Sequence, residues 1–178
     1  MIPVFLANGF EEIEALATVD ILRRANVEVV TVGVGSKTPV GAHGIPVYAD
    51  ITEEELKVVN IDGVVLPGGM PGTTNLEASA VVQSAISYAA ERGLLLAAIC
   101  AAPSILGHGG YLCGKHATCY PGFETDLRGA ILSKGVVVDG NIITASGAGV
   151  AVDFALALVR YLVSAEVADA IRGGIQCP

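Results

Sequence analysis

Leu94-Leu95-Leu96-Ala97-Ala98-Ile99-Cys100-Ala101-Ala102-Pro103-Ser104-Ile105-Leu106 is an apolar run that changes character at a single thiol. Leu94 to Ile99 has the length and composition of a strand buried on both faces, and Ala101 to Leu106 suits a helix. Cys100 therefore stands at a strand-to-helix junction, where the first amides of the helix face its sulfur. Those amides and the helix dipole favour a thiolate, so the thiol is expected to titrate below its free value of about 8.5, towards or below neutrality. Unpaired cysteine is also among the most buried residue types and packs as a small hydrophobe. Its neighbours decide between the two.

Outward from this junction, short apolar runs alternate with amphipathic ones, the pattern of a parallel sheet covered by helices on both faces. Strands are expected at Val4 to Ala7, Val27 to Val32, Gly63 to Leu66, Leu94 to Ile99 and Ile142 to Ala145. Glu11 to Arg24 reads as a helix with apolar positions Ile13, Leu16, Val19, Ile21 and Leu22 and two arginines at its C-terminus. Asn75 to Glu91 and Gly149 to Val163 are the other long helices. Pro39 to Asp50 reads as a hairpin, Gly107 to Arg128 as irregular, and Val136 to Val138 with Ile142 to Thr144 as a second hairpin through Asp139-Gly140-Asn141. The expected architecture is one domain, residues 1–178.

Composition agrees. The 178 residues are 52% hydrophobic, with 22 glycines and no tryptophan, as suits a large aliphatic core joined by tight turns. A net charge of −8 leaves no surface to neutralise phosphates, so nucleic acid is not an expected partner. The longest apolar stretches are interrupted, at Pro103 and Ser104 in one and at Asp153 and Arg160 in the other, so no membrane span is expected. Met1 to Ala7 lacks a basic start and runs into a strand. A cytoplasmic location is expected, with Cys100, Cys113, Cys119 and Cys177 as free thiols.

In open α/β sheets the ligand crevice lies at the carboxyl ends of the strands. Four loops meet that condition: Asn8 to Glu14, Pro67 to Gly72, the Cys100 junction, and Ser146 to Gly149. Glu11 and Glu14, three apart, share a helix face, whereas Glu12 turns away. A first-turn carboxylate commonly serves only the helix dipole, which accounts for Glu11 and Glu12. Glu14 sits deeper, between Ile13, Ala15 and Leu16, and burial raises a carboxyl pKa until it stays protonated and donates to a thiolate. Gly68 and Gly69 allow positive φ and bare amides, as an oxyanion site needs, or simply a tight turn.

Glu11-Glu12-Ile13-Glu14, Leu66-Pro67-Gly68-Gly69 and Ala97-Ala98-Ile99-Cys100-Ala101-Ala102-Pro103, in this order and spacing, resemble the ThiJ/PfpI superfamily, specifically its parkinsonism-associated deglycase branch. Ser146-Gly147-Ala148-Gly149 through Asp153-Phe154-Ala155-Leu156 resembles its closing helix. The resemblance implies a flavodoxin-like three-layer α/β sandwich, commonly a homodimer, with no cofactor. It implies Cys100 as nucleophile, Glu14 as the carboxyl bonded to it, and Gly69 with Ala101 as backbone donors. Glu11, Gly68, Tyr120, Ser146 and Gly147 are expected to line the pocket, and in a dimer His43 would approach the second copy's pocket. One departure stands out: many relatives place a histidine near the thiol where Thr118-Cys119-Tyr120-Pro121 has Tyr120. A phenol with a pKa of about 10 is no base at neutral pH, which leaves proton transfer to Glu14. Ala101, where the peptidase branch has histidine, weakens a protease reading.

The resemblance implies action on a small α-oxoaldehyde such as methylglyoxal, or release of lactate from glycated amines. An alternative use of the same residues is redox sensing or stress protection, with Cys100 oxidised to sulfinate. A glutaminase of the amidotransferase type expects Gly-x-Cys-x-Gly, but Ala98 and Ala102 occupy the glycine places. His108, Cys113, His116 and Cys119 lack regular zinc spacing, so no metal site is expected. Gly109 to Lys115 is no phosphate loop, because His116 replaces the required hydroxyl, and Gly33-Val34-Gly35 lacks the third glycine of a dinucleotide site.

Overall fold

The computed structural model describes residues 1–178. Nine strands and six helices alternate: β1 Ile2–Ala7, α1 Glu12–Arg24, β2 Val29–Val34, β3 Ile51–Thr52, β4 Gly63–Leu66, α2 Gly72–Ala78, α3 Ala80–Glu91, β5 Leu95–Ile99, α4 Pro103–His108, β6 His116–Ala117, β7 Ile131–Leu132, β8 Val136–Asp139, β9 Ile142–Ala145, α5 Ala151–Leu162 and α6 Ala165–Gly174. Seven strands form one sheet in the order β3-β2-β1-β4-β5-β9-β8, parallel except for the β8–β9 hairpin. This is the expected flavodoxin-like α/β sandwich. No helix is long and apolar enough to cross a membrane.

Both sheet faces are covered, so the inner strands read as continuous aliphatic runs and not as alternating ones. Phe5, Val64, Leu66, Leu96 and Ala98 join the core under α3 and α4, while Val4, Leu6, Val65, Ala97 and Ile99 point into the core under α1 and α5. Strand order reverses between β1 and β4, where the chain lays β2 and β3 to one side and then returns to the other. The crevice at that switch point is bordered by the loops after β1 and β4.

Several expected boundaries are corrected. Asn75 to Glu91 is two helices, not one, because Ser79 is extended (φ −76, ψ 122) and its hydroxyl caps α3 by accepting from the Val82 amide. The second strand is displaced to Val29–Val34, and α4 starts at Pro103, whose missing N–H suits a first helical position. The closing helix begins at Ala151, after a 3-10 turn over Ala148–Val150. Pro39 to Asp50 makes only an isolated bridge, Val40 to Pro46, before β3 extends the sheet beside β2. Ile13 (58% exposed) and Leu16 (38%) face outward and not into the core, because α1 turns Glu12, Glu14, Ala15, Thr18, Val19, Ile21 and Leu22 inward.

His108, at the end of α4, is held between two carboxylates, with Nδ1 2.6 Å from Glu77 Oε1 and Nε2 3.3 Å from Asp126 Oδ1. The Glu77 hydrogen bond, with help from Asp126, raises its pKa above 6.5. A raised folded-state value stabilises the fold fully below the unfolded pKa, and this contribution is lost as pH rises through the folded one. Thermal denaturation of the wild type is expected to show Tm falling across that window, and His108→Gln to flatten the slope. An unchanged slope would contradict the ion-pair assignment.

Candidate active site

The loops after β1, β4 and β5 converge at the switch point. The Glu11 amide donates to the Gly68 carbonyl at 2.9 Å, and the Gly72 amide donates to the Gly9 carbonyl at 3.2 Å. Gly68 cannot carry a side chain, because a Cβ there would lie 2.6 Å from Cys100 Cβ and 2.9 Å from Glu14 Oε2. This close approach lets a helix residue and an elbow residue meet across the β4 loop.

Cys100 has φ +65, left-handed backbone that costs an ordinary residue about 1–2 kcal/mol. Two backbone hydrogen bonds hold it there: its amide donates to the Ala145 carbonyl (2.9 Å), and its carbonyl accepts from the Tyr120 amide (2.8 Å). The conformation turns the sulfur away from the β5 core towards Glu14. Glu14 is 1% exposed, and its Oε2 accepts the Gly68 amide at 2.8 Å.

Burial pushes the Glu14 carboxyl up to about 7, against the Gly68 amide and the Cys100 thiol, which favour its ionised form. Burial, followed by the negative charge of Glu14, pushes the Cys100 thiol up to about 12, while the Gly69 and Ala101 amides pull it down. Helix amides alone do not ionise the sulfur: beside an ionised Glu14 it keeps its proton, so the expected thiolate requires the protonated Glu14 that was expected with it. The two groups titrate as a pair. Glu14 Oε1 decides where a single shared proton rests, because it is buried with no donor aimed at it. A carboxylate oxygen so placed forfeits roughly 1–3 kcal/mol or more, whereas a protonated one is itself a donor. With the proton on Glu14 the repulsion on sulfur vanishes, and two amides and an acid face it. Of the two monoprotonated forms, this arrangement favours the thiolate beside a carboxylic acid.

The two amides that reach the sulfur are those of Gly69, at φ +90, and Ala101. Glu11 lies near enough to Glu14 to oppose its ionisation. Tyr120 is half exposed; its backbone, and not its phenol, engages Cys100, and its ring lies 3.4 Å from where a Gly147 Cβ would stand. Ser146 lines a separate cleft of about 520 Å³ that includes neither Cys100 nor Glu14. The largest cleft is thus beside the thiol chemistry and not around it.

Glu12 was missed as a structural anchor. It does not turn away but is 5% exposed, and its Oε1 accepts the His43 amide (2.8 Å) and the Ile45 amide (3.4 Å). His43 Nδ1 lies 2.9 Å from Glu12 and 3.5 Å from Glu11. The signal was present as three acids within four residues before a glycine-containing loop, but a first helical turn carries acids for its dipole anyway.

The DJ-1/PfpI family model matches residues 1–161. Drosophila melanogaster protein dj-1beta is 34% identical over 176 residues, spanning 97% of this chain and 94% of its own. A Caenorhabditis elegans protein named glutathione-independent glyoxalase DJR-1.2 is 29% identical over 165 residues, 90% of this chain and 87% of its own. A crystal structure of a DJ-1 superfamily protein from Salmonella typhimurium superposes with a TM-score of 0.94 at 35% identity, covering 99% of this chain and 98% of that one.

Proposed function

The chain belongs to the DJ-1/PfpI family, and from that premise we propose that it is a cofactor-independent glyoxalase or deglycase whose nucleophile is Cys100 and whose proton carrier is Glu14. The observation that carries the reading is the contact between the two inside the fold, with Glu14 Oε1 buried and without a hydrogen-bond partner. The glyoxalase named among the relatives supports the substrate class.

The thiolate adds to the aldehyde carbon of methylglyoxal, forming a C–S bond, and the negative charge passes from sulfur to oxygen within reach of the Gly69 and Ala101 amides. Glu14 gives its proton to that oxygen. As a carboxylate it then takes the hydrogen of the same carbon, and the electron pair moves towards the neighbouring ketone. Returning that proton to the adjacent carbon, while the hydroxyl hydrogen on the first carbon's oxygen passes to the second oxygen, leaves a lactoyl thioester, which water cleaves to lactate and the thiol. No net oxidation occurs, because one carbon is oxidised as its neighbour is reduced. A pKa of about 7 suits Glu14 to both directions of transfer.

Cys100→Ala is expected to abolish methylglyoxal consumption while leaving the fold intact. Unchanged turnover in protein purified free of contaminating activity would remove the proposal. A homodimer would use the exposed apolar side chains of Ile13 and Ile45, which lie around His43, and would bring His43 towards a second copy's pocket.

A further inference from the structure

The cleft of about 520 Å³ beside the thiol site is walled by three segments: residues 118 to 124, residues 132 to 135, and Ser146 at the end of β9. Its volume lies in the range of small-molecule sites. Its charges are unusual for this chain. Of the ten lysines and arginines, Arg23, Arg24, Lys37, Arg92, Lys115, Arg160 and Arg172 are in ion pairs. Lys134 is among the three that are not, and it lines the cleft. Glu124 lines it too, and its carboxylate accepts only the Gly122 amide, at 2.7 Å. The rest of the wall combines Thr118, Ser133, Ser146 and Gly135 with Cys119 and the apolar Leu132 and Pro121.

We propose that this cleft binds a zwitterionic ligand of amino-acid size, its carboxylate against Lys134, its ammonium against Glu124 and its side chain against Leu132 and Pro121. A ligand with one charge would satisfy one of these residues and meet repulsion from the other. A ligand with both charges uses both, and the electrostatic match selects it. The site is separate from the Cys100–Glu14 pair, so the proposal goes beyond the thiol chemistry and does not depend on it.

Calorimetric titration of the full chain with leucine, N-acetyl-leucine (no ammonium) and leucinamide (no carboxylate) tests this. Leucine is expected to bind, and each blocked analogue to bind about tenfold more weakly or worse, a loss of about 1.4 kcal/mol. Lys134→Gln should weaken leucine but strengthen leucinamide, which loses a repulsion, and Glu124→Gln should weaken leucine but strengthen N-acetyl-leucine for the same reason. Both side chains are exposed, so the fold should tolerate either change, as circular dichroism would verify. Cys100→Ala should leave leucine binding as it is, whatever becomes of turnover. No leucine binding, equal binding of either blocked analogue, or indifference to both charge variants would each overturn the proposal.

Discussion

Glu14→Gln is expected to lower kcat/KM for methylglyoxal by about 100- to 10,000-fold, the usual contribution of a positioned proton carrier. Glutamine has nearly the same volume, its carbonyl can still accept the Gly68 amide, and its amide can still donate to sulfur. What it lacks is a transferable proton. The same substitution should stabilise the fold above pH 7. In the unfolded chain Glu14 ionises near 4.5, whereas in the fold its pKa is about 7. A raised carboxyl therefore costs stability progressively as pH climbs from 4.5 to 7, on the order of 3 kcal/mol in full. Denaturant titrations at pH 5 and pH 8 should show the variant gaining on the wild type only at the higher pH. Wild-type turnover in Glu14→Gln would refute the proton-carrier role, and an equal gain at both pH values would refute the burial argument.

Gly69→Ala is expected to damage both the fold and the site. A Cβ at this position would lie 2.4 Å from the Gly9 carbonyl oxygen and 2.5 Å from the Glu11 nitrogen, both backbone atoms with nowhere to go. The φ of +90 adds its own strain. Forced overpacking and left-handed backbone together cost about 2–5 kcal/mol. The loops after β1 and β4 must separate, moving the start of α1 and displacing the Gly69 amide from sulfur. Loss of one such donor typically costs about 100- to 1,000-fold in turnover. Urea unfolding and methylglyoxal turnover measured on the same preparation would check both, and near-wild-type values in either would contradict the packing described.

The inner strands were legible because a sheet covered on both faces writes uninterrupted aliphatic runs such as Leu95–Ile99, which no loop imitates. Edge elements were not. β3, β6 and β7 are two residues each, too short for periodicity, and their pairing depends on partners distant in the chain. α6 went unread although Ser164 caps it by accepting the Val167 amide, since the preceding α5 pattern runs almost into it. At the site, Cys100 and Glu14 stood out through their apolar neighbours, and the resemblance brought them together. The electrostatic opposition at the thiol was not legible in the chain, for a physical reason. Helix amides near Cys100 are local and visible in the chain, but the opposing charge comes from Glu14, 86 positions away and adjacent only after folding.

Ultraviolet absorbance of the thiolate, followed against pH in the wild type and in Cys100→Ala as the blank, tests the placement of the shared proton most directly. With that proton held by Glu14, the Cys100 thiolate should appear as the pair loses its first proton, at or below about pH 7, where the Glu14 carboxyl is poised. A sulfur that stays protonated through neutrality and ionises only near pH 12 would mean that Glu14 loses its proton to solvent, and the resting nucleophile argued here would not exist.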